Sequence, residues 1–346
     1  MEEGSIFRLG VDENGLGARL GPLVVTAVLC GVAPRGVRTL SRKLPKAIRA
    51  DLDDSKRLIS HSDSRLGEAW ARALVDQPVD TPAALIEAIA LEDRAELHAP
   101  CPSHVVTQCW SAEGEAFSAD DALCHRIREH RHALEDRGIK VLAVRSSVVC
   151  TKRLNASRDR GINRFVADLH AMEALVLELQ RRAAGEVQAI CGKVGGIAEY
   201  GKFFGPLSGR LHAVLEEGAA RSAYRFPGLG ELHFVRDADA SDPLVSLASL
   251  VGKYVRELLM ARIARFYPQA AHEEAVSSPS GYHDPVSAAF VVRTARLRRE
   301  RRVPDGCFER ARDPIEAAPP ASAKTGKTLR NSSREQLPLW EGPPKS

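Results

Sequence analysis

Short apolar runs rich in β-branched residues recur along the chain, at Ile6 to Val11, Leu23 to Cys30, Lys140 to Val149, Val187 to Cys191 and Glu231 to Val235. Their length and bounding turn residues predict strands. Between them the apolar spacing changes to that of helices. Phe165, Leu169, Met172, Leu175, Val176 and Leu179 predict a helix over 163–182. Leu244, Leu247, Val251, Val255, Leu258 and Leu259 form a second stripe. Pro243 opens that helix in its first turn, where a missing N–H is harmless. Lys253 and Arg256, three apart, are expected to share its other face. Residues 61–136 read as helical, broken at Pro78, Pro82, Pro100 and Pro102, and residues 285–298 as a final helix. Residues 33–60 read as a basic loop. Alternation of strands and helices implies an α/β domain.

From about residue 299 the pattern fades. The chain becomes rich in Arg, Pro, Ala and Ser, with few large apolar residues, and predicts a disordered basic tail over 299–346. The composition of the whole 346-residue chain, 44% hydrophobic and 27% charged, is ordinary for a globular protein of one large domain or two smaller ones. A net charge of +4 announces no strongly basic nucleic-acid binder. Seven cysteines without a CxxC pair argue for a reducing, cytoplasmic compartment. Cys101, His104, Cys109, Cys124 and His125 lack the tight pairing of zinc ligands and read as ordinary thiols and surface histidines. No secretory or membrane-spanning segment is expected, since no apolar run approaches the roughly 20 residues a span needs.

The chemistry lies in the first turn. The strand at Ile6 to Val11 delivers Asp12 and Glu13 into the loop Asn14-Gly15-Leu16-Gly17, and Gly21-Pro22 leads into the next strand. Adjacent acids repel and raise each other's pKa unless a cation joins them. Glycines admit a close approach by phosphate, and Mg²⁺ takes carboxylate, water and phosphate oxygens. Taken alone, an Asp-Glu pair of this kind is more often a solvated turn.

The order of residues changes that reading. Residues 12–24 resemble, without a gap, the opening D-E-A-G-R-G-P-x-x-G-P-V-V signature of ribonuclease HII, with Asp12, Glu13, Gly15, Gly17, Gly21 and Pro22 on motif positions and Leu16 where the family has arginine. The family's further motifs follow in order. Leu52-Asp53-Asp54-Ser55-Lys56-Arg57-Leu58 looks like L-N-D-S-K-K-L. Ile162-Asn163 to Met172 is similar to I-N-x-x-x-A-x-x-x-A-M. Asp239 to Glu257 resembles the helix containing S-A-A-S-I-x-A-K, and Tyr267-Pro268 with Gly281-Tyr282-His283 matches the closing elements. The resemblance covers most of residues 5–295 and implies a ribonuclease H-like fold, a mixed five-stranded sheet flanked by helices. Residues 1–298 would form that domain, with 61–136 partly a helical insertion.

The resemblance also implies an endonuclease that hydrolyses the RNA strand of RNA–DNA hybrids, or cuts 5′ to a ribonucleotide embedded in duplex DNA, by two-metal chemistry with Mg²⁺ or Mn²⁺. Asp12, Glu13 and Asp239 would be the catalytic metal ligands. The family's fourth carboxylate falls on Cys191, or on Gly192 if the register slips by one, and neither is an acid. Asp237, Asp242 and Glu199 are candidate substitutes. A second reading is a hybrid-binding protein without catalysis; a third is a bridging protein using 61–136 as its surface. Gly15, Leu16, Gly17, Ser55, Lys56, Lys253, Arg256 and Tyr282 correspond to substrate-binding positions, although each basic residue taken singly reads as solvated surface. Tyr282 keeps the tyrosine that, with the glycine-arginine-glycine loop, reads the 2′-OH. Finally, Gln336, Leu337, Leu339 and Trp340 resemble the Q-L-x-L-F peptide that docks on the bacterial sliding clamp, a partner suited to a disordered tail.

Overall fold

A computed structural model describes residues 3–104, 107–183, 185–194, 197–267 and 278–312. In chain order the elements are β1 (Ile6–Asn14), β2 (Leu23–Val32), α1 (Pro34–Leu40), α2 (Lys46–Arg49), α3 (Ser55–Leu58), α4 (Arg65–Leu74), α5 (Pro82–Ile89), α6 (Arg94–His98) and α7 (Asp121–Asp136). Then come β3 (Ile139–Val149), α8 (Thr151–Asp159), α9 (Arg164–Ala183), β4 (Val187–Gly192), β5 (Ala213–Glu217), β6 (Arg221–Phe226), β7 (Gly230–Val235), α10 (Ala238–Ser241), α11 (Pro243–Phe266), α12 (Pro285–Arg293), α13 (Ala295–Glu300) and α14 (Asp305–Phe308).

The strands form one mixed sheet in the order β3-β2-β1-β4-β7-β6-β5, with β1–β4 and β4–β7 parallel and the other pairs antiparallel. It has seven strands rather than the expected five. The additional pair is the β5–β6 hairpin at one edge. Every residue of β5 is exposed, so it carries no alternation from which a strand could be read. Its pairing with β6, whose Ala223, Tyr224 and Phe226 are buried, holds it in place.

Helices cover both faces. Leu9 and Val11 point to the side where α9 packs Leu169, Met172, Leu175, Val176 and Leu179. On the opposite side α11, α4 and α7 cover the sheet, with Val24 and Val28 of β2 against Trp70, Ile127, Leu247 and Val251. Strand β2 is buried on both faces throughout, which is why its sequence is apolar without alternation. The helices of residues 61–136 thus contribute to the main core. Glu115, in the loop before α7, forms buried ion pairs with Arg262 and with the half-exposed Arg265 of α11, Arg262 Nη2 lying 2.7 Å from Glu115 Oε2.

Two expectations need correction. First, α11 has no solvated basic face at Arg256, which is 1% exposed and ion-paired with Glu257. Second, the folded body extends beyond residue 298 as far as Arg312. Val303, Phe308 and Arg310 are buried, and Phe308 packs with Tyr267 and Phe290. Three anchors spread over a polar, arginine-rich stretch leave no period to detect. The proposed clamp peptide at 336–340 lies outside the described residues. Among the described residues, no helix is long and apolar enough to cross a membrane.

Candidate active site

The parallel pair β1–β4 places two strand ends side by side, with Val11 opposite Cys191. Asp12 follows on the face toward α11, and Glu13 lies beyond it. Gly10 lets α11 close directly on β1: a Cβ there would lie 2.2 Å from the Leu244 carbonyl carbon. This packing brings the start of α11, with Ser249 and Lys253, over the strand end. Asp239 enters from α10, the short helix following β7.

A polar cleft opens at this junction. Asp12, Glu13, Gly15, Leu16, Gly17, Ser55, Lys56, Gly192, Asp239, Lys253 and Tyr282 all line it, together with Asp237 and Lys193. These are residues from every motif but that of α9, and folding brings them together from positions 12 to 282. Lys56 Nζ donates to Asp239 Oδ2 at 3.2 Å. Ser55 and Ser249 hydroxyls are hydrogen-bonded at 2.8 Å. Lys253 donates to the Ser55 carbonyl at 3.1 Å and to that of Ile59, so it ties the Asp54-Ser55-Lys56 element to α11 rather than standing as a free surface cation.

Arg256 has a comparable role. It lies outside the cleft lining, donates to the Ser280 carbonyl at 2.9 Å, and its guanidinium stacks 4.6 Å from the Tyr282 ring centroid. It therefore positions Tyr282, itself 42% exposed. Gly15 has φ +89°, and a Cβ would come 2.4 Å from Arg256 Nε. Glycine is required here for both reasons. Leu16 leaves the loop without the family's guanidinium. An arginine does reach this loop from behind: Arg310 donates to the Gly15 carbonyl at 2.6 Å, to Leu16 at 3.2 Å and, through Nε, to Gly21 at 2.9 Å. Burial, with Arg256 and Arg164 nearby, lowers its pKa to about 9. Arg310 braces the loop backbone and lay inside the expected tail.

The acids behave as a crowded set. Burial, then the neighbouring Glu13 and Asp239 charges, hold Asp12 well above the usual carboxylate range, against the hydrogen bond from Ser249. Glu13 is pushed up to about 8 by burial and by the charges of Asp168 and Asp239. Like charges confined together favour uptake of protons or of a cation. The donors are hard oxygens, the class that Mg²⁺ and Mn²⁺ accept. Among the described residues, no three His, Cys, Asp or Glu already stand as a ligand cluster. A cation would have to draw Asp239 away from Lys56.

Geometry separates the two positions offered for the fourth carboxylate. Cys191 is fully buried in the core facing α9. Gly192 lines the cleft, and a Cβ there would lie 2.9 Å from Asp12 Oδ1 and 3.2 Å from Glu13 Oε2. Gly192 is thus the position beside the acids. Of the three substitutes, Asp242 is committed to Arg8 and to capping α11, and Glu199 pairs with Lys202 at the surface. Asp237 reaches the cleft, in a left-handed conformation (φ 52°) that Asp tolerates better than most residues. A further acid, Asp168 of α9, was not singled out by the sequence; its position within an ordinary apolar helix stripe concealed it.

The cysteine–histidine group separates in space. Cys124 joins the core and His125 faces Glu129, while Cys101 and Cys109 line a small apolar pocket with Cys150 and Cys307.

No family model matches the sequence. A ribonuclease HII from Rhodococcus erythropolis is 41% identical over 83 residues, which cover 24% of this chain and 32% of that protein. Among solved structures, Bst ribonuclease HIII in complex with Mn²⁺ is similar at 16% identity, with a TM-score of 0.42 over 86% of this chain and 63% of that one. The ribonuclease HII of Archaeoglobus fulgidus, solved with PCNA, is similar at 15% identity, TM-score 0.38, over 95% and 98%. Thus the chain covers less than two thirds of the curated relative and of the first of these structures. The ribonuclease HII match agrees with the resemblance carried by the motif order given above.

Proposed function

We propose that the protein is a divalent-cation-dependent endonuclease acting on RNA–DNA hybrids or on ribonucleotides embedded in duplex DNA, cutting on the 5′ side. The observation that carries this reading is that Asp12, Glu13 and Asp239 line one cleft together with Tyr282, Lys56 and the Gly15–Gly17 loop. Asp12, Glu13 and Asp239 would hold Mg²⁺ or Mn²⁺, which supplies Lewis-acid stabilisation and activates water. The chain's own groups bind and orient. Gly17 offers exposed backbone to a phosphate, Lys56 offers a mobile cation, and the Tyr282 ring, braced by Arg256, offers a face against which a sugar or base can rest.

The test is incubation of the purified protein, with Mn²⁺ or Mg²⁺, and a labelled duplex containing one ribonucleotide. Cutting 5′ to it is expected from wild type and not from Asp12→Asn, with a loss of more than about 100-fold. Undiminished turnover by D12N sinks the assignment.

A second reading, a hybrid-binding protein without chemistry, draws on the missing side chain at Gly192. It predicts salt-sensitive binding of the duplex without cutting. We also propose a cytoplasmic location and docking of the 336–340 peptide on a bacterial sliding clamp. Deleting these five residues should abolish binding to a purified clamp and leave cleavage of short duplexes intact.

A further inference from the structure

Between Ala33 and Ala50 the chain carries six basic residues and no acid. The net charge of +4 is thus unevenly placed. Leu40, Leu44, Ile48 and Leu52, four residues apart, are all buried in the main core. They pin the segment to the body and leave the cations between them outside. Arg42 and Lys43 are exposed and Arg49 is half-buried. Among the described residues none of these three has an ion-pair partner, and the buried Nε of Arg49 has no hydrogen-bond partner.

A groove runs between this segment and the α10–α11 junction. Arg42, Lys43, Arg49 and Arg57 line it with one acid, Asp53, and Ala240, Ser241 and Ser246 belong to its other wall. Asp53 lies 3.8 Å from Arg57 and accepts from the Asp54 amide at 2.9 Å, so it offsets one cation and leaves three. The groove adjoins the acidic cleft. Lys56 and Asp239, paired at 3.2 Å, line the cleft, and the residue following each of them, Arg57 and Ala240, lines the groove. Consecutive Cα atoms are about 3.8 Å apart, so the two hollows are immediate neighbours.

A nucleic-acid duplex held in the cleft carries a line of phosphates beyond it, about one negative charge per 1.7 Å of axis. Unpaired arginine and lysine side chains on a fixed scaffold are the groups that take up such phosphates and set the register of the duplex. We infer that this groove holds the phosphate backbone flanking the reacting position, with Arg42, Lys43 and Arg49 each neutralising a phosphate. This rests on the nucleic-acid reading of the cleft and adds to it a second anchorage that reads no bases.

The test is binding of a labelled duplex containing one ribonucleotide, read by fluorescence anisotropy between about 50 and 200 mM salt. Ca²⁺ replaces Mg²⁺ in the buffer, and a gel confirms that the duplex stays intact. The full chain is compared with R42Q/K43Q/R49Q and with R128Q/K140Q/R210Q, which removes the same charge from exposed residues lining neither hollow. Each phosphate contact contributes about 0.9 to the slope of log affinity against log salt. The groove variant should therefore show a slope shallower by about 2 to 3 and bind at least roughly tenfold more weakly at low salt. The charge-matched control should stay within about threefold of wild type. Phosphate contacts carry no base information, so the groove variant should lose as much affinity for an all-DNA duplex. Unchanged affinity and slope in the groove variant, an equal loss in the control, or a loss confined to the ribonucleotide duplex overturns the inference and leaves the cleft reading in place. Should the triple variant not melt as wild type does, R42Q/K43Q decides: a slope shallower by about 2 supports the groove, and an unchanged one overturns it. Failure of the broader reading looks different: wild type then binds neither duplex even at low salt, and the groove proposal falls with it.

Discussion

Arg256 shows how little a residue's type reveals of its work. Its motif position suggests a cation facing substrate, yet it is enclosed between Glu257, the Ser280 carbonyl and the Tyr282 ring. Its link to the cleft runs through the tyrosine ring it supports. Glu173 makes the same point for stability. This buried acid accepts hydrogen bonds from the Leu207 amide at 2.7 Å and the Gly205 amide at 3.1 Å, and burial raises its pKa to about 7. A value raised in the folded state contributes stability that is full below the unfolded value, near 4.5, and lost as pH rises through about 7. Unfolding measured at pH 5 and pH 8 should therefore show a loss of up to about 3 kcal/mol in wild type that Glu173→Gln does not share. Parallel pH dependence in the two proteins would exclude Glu173 as the source.

At the scale of elements, the site depends on α11 touching β1 without intervening side chains. Gly10 makes this approach possible, and a Cβ there meets the helix backbone, which cannot swing aside. Gly10→Ala should cost about 3 kcal/mol or more, at the upper end for overpacking. It should also weaken cleavage beyond the loss of folded protein, because Ser249 and Lys253 move with the helix. A variant with unchanged melting temperature and turnover would show that α11 is held elsewhere. The Glu115–Arg262 pair is such a second attachment, fixing the loop before α7 to the far part of α11.

For the whole molecule, the decisive finding is that the last folded segment reaches back to the first loop. Arg19 pairs with Glu309 at 2.7 Å, the Arg310 amide donates to the Arg19 carbonyl, and the Arg310 side chain braces Gly15, Leu16 and Gly21. A chain ending at residue 312 should keep wild-type stability and cleavage. One ending at 298, where the composition changes, should lose several °C in melting temperature and most of its activity, since three buried anchors and the loop brace go with it. Equal behaviour of the two truncations would refute this role.

Local and periodic features were legible in the chain itself. Five strands, the α9 and α11 stripes, the Asp12-Glu13 turn and the Asp54-Ser55-Lys56 element follow from apolar spacing, turn chemistry and motif order. These are short-range properties, written within a few residues of one another. The tertiary structure decided what depends on residues far apart in sequence. It placed the exposed β5 in the sheet by pairing alone, buried Arg256 and the 299–312 segment, and turned Gly192 rather than Cys191 toward the acids. It also buried Asp168 of α9 without a hydrogen-bond partner. Strand alternation and helix packing fix which side of an element faces the cleft, and that direction is set by the partner across the fold rather than by the residue's immediate neighbours.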